Sequence, residues 1–265
     1  MTTKIRPAAV AGAFYPGDAQ QLQATIETHL AQASPPALDK VHALIVPHAG
    51  YIYSGPIAAY AYRLLEKRPT APEQIFLLGP THRVWFTGIA LGDYGSFQTP
   101  LGNMPVAQET LQRLATADDQ FQLLAGAHRQ EHSLEVQLPF LQHFFPQTPI
   151  VPLLFGQANP IQIGEALSPF VGPDDLLVIS SDLSHYHSYE EAQRLDRGFI
   201  ADVLRGDIAA VAAGEACGQA PIVALMTIAA ARGWQPHLLD YRNSGDTAGD
   251  RRQVVGYAAL AYTEV

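Results

Sequence analysis

Ala43-Leu44-Ile45-Val46-Pro47-His48-Ala49-Gly50-Tyr51 reads as a buried strand followed by a turn that carries a histidine. Four apolar residues without polar alternation mark a strand covered on both faces. The pattern recurs along the chain. Residues 75–78 form a second apolar run, stopped by Gly79-Pro80-Thr81-His82. Residues 150–155 form a third. Residues 176–180 form a fourth, followed by Ser181-Asp182-Leu183-Ser184-His185.

Helical spacing fills the intervals. Leu22, Ile26 and Leu30 lie four apart within residues 19–33. Residues 56–65 are predicted as a helix with Pro56 near its start. Helices are also expected over 107–115, 133–145, 189–204 and 221–232, with Pro139 kinking the second of these or marking a boundary. Residues 238–241 and 254–262 close the chain as strands. Apolar runs alternating with helices predict an α/β fold whose sheet is at least partly parallel and covered on both faces. Antiparallel pairing is expected only around residues 86–92 and at the C-terminus.

Composition supports one globular unit. The 265 residues are 48% hydrophobic and 15% charged, with no internal repeat. Residues 1–265 are therefore read as a single domain. The net charge of −9 lacks the basic footprint of a nucleic-acid binder. No stretch reaches the ~18 apolar residues of a membrane span. The single cysteine, Cys217, and the lack of a signal-peptide pattern lead us to expect a cytoplasmic protein.

In an open α/β sheet, ligands bind outside the carboxyl ends of the strands. Three runs deliver His48, His82 and His185 to that edge, with Asp182 beside the last. Neutral histidine is the commonest metal ligand. Two histidines and a carboxylate form the facial triad of non-haem Fe(II) sites, and zinc sites use similar donors. The competing reading is that these residues cap turns after strands. His132, in Gln130-Glu131-His132-Ser133-Leu134-Glu135, is either a group that orients a ligand residue from behind, an acid/base group or a residue of the capping loop. Ser133 reads as a helix N-cap and Glu135 as a first-turn carboxylate facing the helix dipole. The loop from Asn243 to Asp250 reads as a ligand-approach loop or an ordinary Gly/Asp turn. Cys217 precedes a helix and reads as packing or as a thiol at a helix N-terminus. His29, His42, His128, His143 and His237 read as surface or packing residues.

An ordered set of motifs also carries a resemblance. It runs from Arg6-Pro7-Ala8 and Phe14-Tyr15-Pro16 through Pro47-His48-Ala49-Gly50-Tyr51 and Gly79-Pro80-Thr81-His82. It continues through Glu131-His132-Ser133-Leu134-Glu135 and Ser181-Asp182-Leu183-Ser184-His185, then Cys217-Gly218, Asn243-Ser244-Gly245-Asp246 and Gly256-Tyr257-Ala258-Ala259. The sequence resembles the Memo family, whose prokaryotic members are called AmmeMemoRadiSam system protein B. That resemblance implies the fold of class III extradiol dioxygenases, a three-layer α/β/α sandwich around a mixed, largely parallel sheet. It implies a metal site, with Fe(II) expected and Cu or Zn as alternatives. His48 and His82 match the family's metal-site histidines, and Asp182 and His185 match residues lining the same pocket. We expect Asp182 as third ligand and His185 and His132 as acid/base groups. Animal members use a loop cysteine where this chain has Thr247, so Asp182, His185 or Asp246 would complete the shell here. Cys217 matches a different motif. The resemblance also implies an AMMECR-type protein and a radical SAM protein as partners. The alternative function is a non-enzymatic binding module with a vestigial pocket. A phosphotyrosine role would require clustered arginines, for which Arg83 and Arg242 are nearest in sequence.

Overall fold

The computed structural model describes residues 4–264; residues 1–3 and 265, the ends of the expected domain, lie outside it. The strands are β1 (Ile5–Arg6), β2 (Val41–Val46), β3 (Ile75–Pro80), β4 (Ile89–Leu91), β5 (Ser96–Thr99), β6 (Gly102–Pro105), β7 (Phe121–Leu123), β8 (Ile150–Phe155), β9 (Leu176–Ser180), β10 (His185–His187), β11 (Gln235–Asn243) and β12 (Val254–Thr263). The helices are α1 (Ala19–Gln32), α2 (Tyr51–Arg63), α3 (Gln108–Ala117), α4 (Ala125–His128), α5 (Leu138–Phe144), α6 (Pro160–Leu167), α7 (Tyr189–Arg205), α8 (Ile208–Ala213), α9 (Gln219–Arg232) and α10 (Ser244–Thr247).

The large sheet has the order β10-β12-β2-β9-β3-β8-β4-β7, with β11 paired to β12. Its centre, β2-β9-β3-β8, is wholly parallel. β12 and β4 flank that centre as antiparallel strands, at the C-terminus and near residues 86–92 as expected. β8 and β9 span the residues that their apolar runs predict, and every residue in them is buried. Helices α1, α2 and α5 pack together on one face, and α6, α8 and α9 pack together on the other. Strand-helix alternation thus builds the expected α/β/α sandwich around a mixed sheet. A separate small sheet, β1-β5-β6, carried no apolar run that would have predicted it.

Three local expectations need correction. α2 begins at Tyr51, so Pro56 lies inside the helix rather than near its start. Gly50 caps it without a side-chain bond, and the Tyr51 amide is satisfied by Phe14 O at 2.7 Å. The segment after His132 is first a short 3-10 turn, Glu135–Gln137, and only then α5, with Pro139 in its first turn. Pro139 therefore marks a boundary. Ser133 is no N-cap: its hydroxyl donates to Pro80 O at 2.8 Å.

Glu135 does open that 3-10 turn, as expected of a first-turn carboxylate, but its main partner is a buried cation. It is fully buried and ion-paired with Arg6, itself buried. The amides of Ala9 (2.8 Å) and Val10 (3.0 Å) and the Tyr15 hydroxyl (2.5 Å) also donate to it. Arg6 in turn donates to His128 O and Glu131 O. Burial of two charges is tolerated only when each is paired and hydrogen-bonded. Together they tie the N-terminal segment to residues 128–135. Arg6→Ala should therefore lower the free energy of unfolding by about 3–5 kcal/mol, read from urea denaturation. A loss below about 1 kcal/mol would mean that water screens the pair.

Candidate metal centre

The central strands end side by side. β9 lies between β2 and β3 in parallel register, so His48, Asp182 and His82 leave the same edge of the sheet. The fourth contribution is the buried loop that carries Glu131, His132 and Ser133. Gly79 lets it approach: a Cβ there would meet Leu134 Cδ2 at 2.8 Å and Ser133 Oγ at 3.1 Å. A ligand nitrogen from each of His48, His82 and His132 falls within 4.8 Å of the others. The ring centroids are 5.2 Å apart for His48–His82, 5.5 Å for His48–His132 and 4.7 Å for His82–His132.

Hydrogen-bond counting fixes two tautomers. Ser180 Oγ gives its only hydrogen to Ser133 O at 2.6 Å and accepts from Gln137 Nε2 at 2.8 Å. Its contact with His48 Nδ1 at 2.9 Å must then be accepted from an Nδ1–H. His82 Nδ1 lies 2.9 Å from Glu131 Oε1, and a carboxylate only accepts. Both rings therefore carry a proton on Nδ1, which makes Nε2 the atom that can offer a lone pair to a metal; on His48 that atom faces the Cys217 thiol at 3.3 Å.

Glu131 is the functional residue that sequence reasoning passed over. Its carboxylate also accepts from the amides of His82 (2.5 Å), His132 (2.9 Å) and Ser133 (3.0 Å). Burial opposes its ionisation, but the bonds from His82 and Ser133 outweigh that and hold its pKa at about 2. Burial, then repulsion from His82, holds His48 at about 3. Burial, then repulsion from His48, holds His132 at about 4. Both imidazoles are neutral at pH 7, as ligands must be. His132 Nδ1 is buried with no hydrogen-bond partner.

Asp182 sits beside this group without belonging to it. Its Oδ1 accepts from the amides of His48 (2.7 Å) and Ala49 (3.3 Å), and its Oδ2 lies 4.0 Å from His48 Nε2. Burial raises its pKa. His185 lies on β10, where the sequence reading had a loop; its ring packs on Tyr186 and its amide donates to Glu215. It is outside the three-histidine group. β11 runs in the direction of β2, since both are antiparallel to β12. Its following loop thus reaches the same edge, yet Asp246 is engaged there in a capping box and with the Tyr189 hydroxyl at 2.6 Å. Thr247 Oγ1 bonds Ser244 O.

Cys217 lies nearer than its motif suggested. Its Sγ is 3.3 Å from His48 Nε2 and accepts from the Asp182 amide at 3.2 Å. Gly218 permits this approach, because a Cβ there would meet Ser181 Cβ at 2.5 Å. Burial, then the Asp182 carboxylate, pushes the thiol well above its ordinary range. Arg242 is occupied by Asp240 and Tyr60, so it supplies no phosphate clamp.

A Memo-like family model matches residues 6–261. The chain belongs to the Memo family. A MEMO1 family protein of Aeropyrum pernix is 38% identical over 285 residues, covering 97% of this chain and 99% of the relative. One from Sulfurisphaera tokodaii is 34% identical over 283 residues, with coverage of 97% and 99%. An uncharacterized protein of Escherichia coli K12 is similar in fold alone, with a TM-score of 0.53 at 14% identity over 84% of this chain and 99% of that one. Among the described residues of this Memo-family chain, no helix is long and apolar enough to cross a membrane. A cavity of about 350 Å³ lies near Val41, Leu64 and Arg68. That is the amino-terminal end of β2, away from the three histidines.

The depressed histidines set a pH dependence. An unfolded histidine takes up its proton below about pH 6.5, whereas folded His48 and His132 stay neutral to about 3 and about 4. Between these limits the unfolded chain binds more protons, so stability falls as pH falls. Asp182, raised by burial, acts in the opposite sense just above the ordinary carboxylate range. His48→Gln in metal-free protein should flatten the fall in urea midpoint between pH 6.5 and 5. An unchanged slope would show that folded His48 titrates like a free histidine.

Proposed function

We propose that this Memo-family chain binds one metal ion of the Fe(II) class through His48, His82 and His132 and uses it in a redox or modification reaction. The observation that carries this reading is the convergence of three imidazoles in which His48 and His82 turn Nδ1–H away to Ser180 and Glu131, so that Nε2 is the atom each offers beside His132. A set of turn-capping histidines would need no such arrangement. Three neutral nitrogens with a carboxylate nearby suit Fe(II), and imidazole also suits Zn and Cu.

The ion would supply Lewis acidity or redox capacity at the sheet edge, with coordination positions left open for substrate. The protein's own groups do the rest. Glu131 orients the His82 ring and holds its Nδ1 proton. Ser180, itself fixed by Gln137 and Ser133, does the same for His48. Asp182, pinned by two backbone amides, brings a second carboxyl to within 4.0 Å of His48 Nε2, and its raised pKa suits it to hold a proton or to complete the ligand shell. His185 would serve as acid/base group from the rim. We assign His132 to the ligand set, since its depressed pKa makes it a poor acid at neutral pH.

Anaerobic loading tests the reading. Protein incubated with Fe(II) and desalted should retain about one metal per chain, and His48→Ala/His82→Ala should retain none. Equal, negligible metal in both proteins, with Zn and Cu failing as well, would overturn it. Glu131→Gln keeps the shape but weakens the hold on the His82 proton. It should reduce metal affinity about 10–100-fold, measured by competition with a chelator; unchanged affinity would remove Glu131 from the site.

A further inference from the structure

Between the buried residues 181–184 and helix α7, the chain crosses the site's rim as the short strand β10. His185 and His187 are half-buried there, and Tyr186 is 71% exposed. Both ends of the crossing are fastened. On the near side the Leu183 amide donates to Gly256 O at 2.8 Å and the Gly256 amide to Ser184 O at 2.9 Å. The Ser184 amide donates to the buried Asp196 carboxylate at 2.9 Å. On the far side Ser188 caps α7, and the Tyr189 amide donates to Arg251 O at 3.2 Å.

The middle is held more lightly. β10 meets β12 at His185–Val255 and His187–Val254, and the register slips between these two pairs. Its other hold is a single carboxylate. Glu215, in the loop between α8 and α9, accepts from the His185 amide at 3.3 Å, and both its oxygens lie 3.0 Å from His187 Nε2. A carboxylate only accepts, so His187 Nε2 carries the hydrogen. The two side chains are 35% and 47% exposed, and water weakens a contact at that exposure.

Tyr186 works against this hold. Its φ is +63°, in the left-handed region that side chains avoid. Lys40 is the only other non-glycine residue described with a positive φ. Such strain persists only where the surroundings enforce it. For Tyr186 the surroundings are Glu215 and two strand pairs, because its exposed ring has no core packing to hold it. The same segment carries His185. That ring meets Tyr186 at 5.8 Å and lies outside the three-histidine group. It can act on the group only if it turns inward, and β10 is the element that can turn it.

We propose that β10 is a strap with two positions. In the observed position it is latched on Glu215, with Tyr186 strained and His185 turned to the rim. In the released position Tyr186 leaves the left-handed region and His185 is free to turn toward Asp182. Glu215 is thus a positioning residue for His185. What His185 does once turned inward rests on the metal reading above; the motion does not.

Hydrogen exchange at the 185–187 amides of metal-free, full-length protein, resolved by NMR, tests this. Glu215→Ala removes the latch and should speed exchange at Tyr186 and His187 at least about five-fold, with the amides of β8 and β9 unchanged. Glu215→Gln keeps an acceptor oxygen and should stay within about two-fold of wild type. Tyr186→Gly relieves the left-handed cost and should slow exchange there about five-fold. The two substitutions must therefore act in opposite directions, which simple loosening of a loop does not produce. Unchanged exchange in Glu215→Ala would overturn the proposal, as would faster exchange in Tyr186→Gly. An equal rise in β9 would also overturn it, since the whole fold would then be loosened. Because no metal is present, failed metal uptake leaves the result standing. Normal metal uptake with an unresponsive strap sinks this inference alone.

Discussion

A buried loop cannot leave its polar atoms unpaired, and here that constraint organises everything above the sheet. Residues 131–137 run across the carboxyl ends of the central strands, and all but His132 are buried. Apart from His132, whose Nδ1 has no hydrogen-bond partner, each polar side chain in the segment reaches a different neighbour. Ser133 bonds Pro80 O at the end of β3, and Gln137 bonds Pro47 O beyond β2 and Ser180 at the end of β9. Glu135 bonds Arg6 and the residues 9–15 turn. Unpaired, each would cost about 1–3 kcal/mol. The bonds of Gln137 to Ser180 and of Glu131 to His82 also orient His48 and His82, and Glu131 holds the His132 amide, so the loop's hydrogen-bond requirement and the geometry of the site are one problem with one solution.

The fold was legible where the physics is local. Strands β8 and β9 are unbroken apolar runs, and a strand buried on both faces shows itself in that way. α1 was legible from Leu22, Ile26 and Leu30, which are all buried. The start of α2 was not, because Pro56 resembles a first-turn proline while Gly50 offers no capping side chain. The small sheet was missed because its strands have two to four residues each, too short for a periodicity to register.

The site was legible in outline and hidden in detail for the same reason. His48, His82 and Asp182 each follow a buried run, so topology alone brings them to one edge. Glu131 was invisible because its partner His82 is 49 residues away, and its neighbours in sequence say nothing of that bond. Cys217 and His48 are 169 residues apart, and only the glycine that follows the thiol marks a close approach. The third histidine posed a different difficulty. His132 adjoins Glu131, and whether such a residue caps a loop or faces a ligand depends on where the loop lies in three dimensions.

Electrostatics then separates what this edge can hold from what it cannot. The chain carries −9, and nothing about that charge attracts an anion. At the edge itself the charges are internal: Glu131 is ionised but spent on four hydrogen bonds, and Asp182 has one oxygen spent on two amides. What remains directed inward is a set of imidazole nitrogens, two of which, on His48 and His132, burial and mutual repulsion keep neutral. Such a group repels protons and has no use for an anion, but a cation that accepts electron pairs satisfies all three nitrogens at once. Arg242 is already occupied by Asp240 and Tyr60, so it does not change that balance.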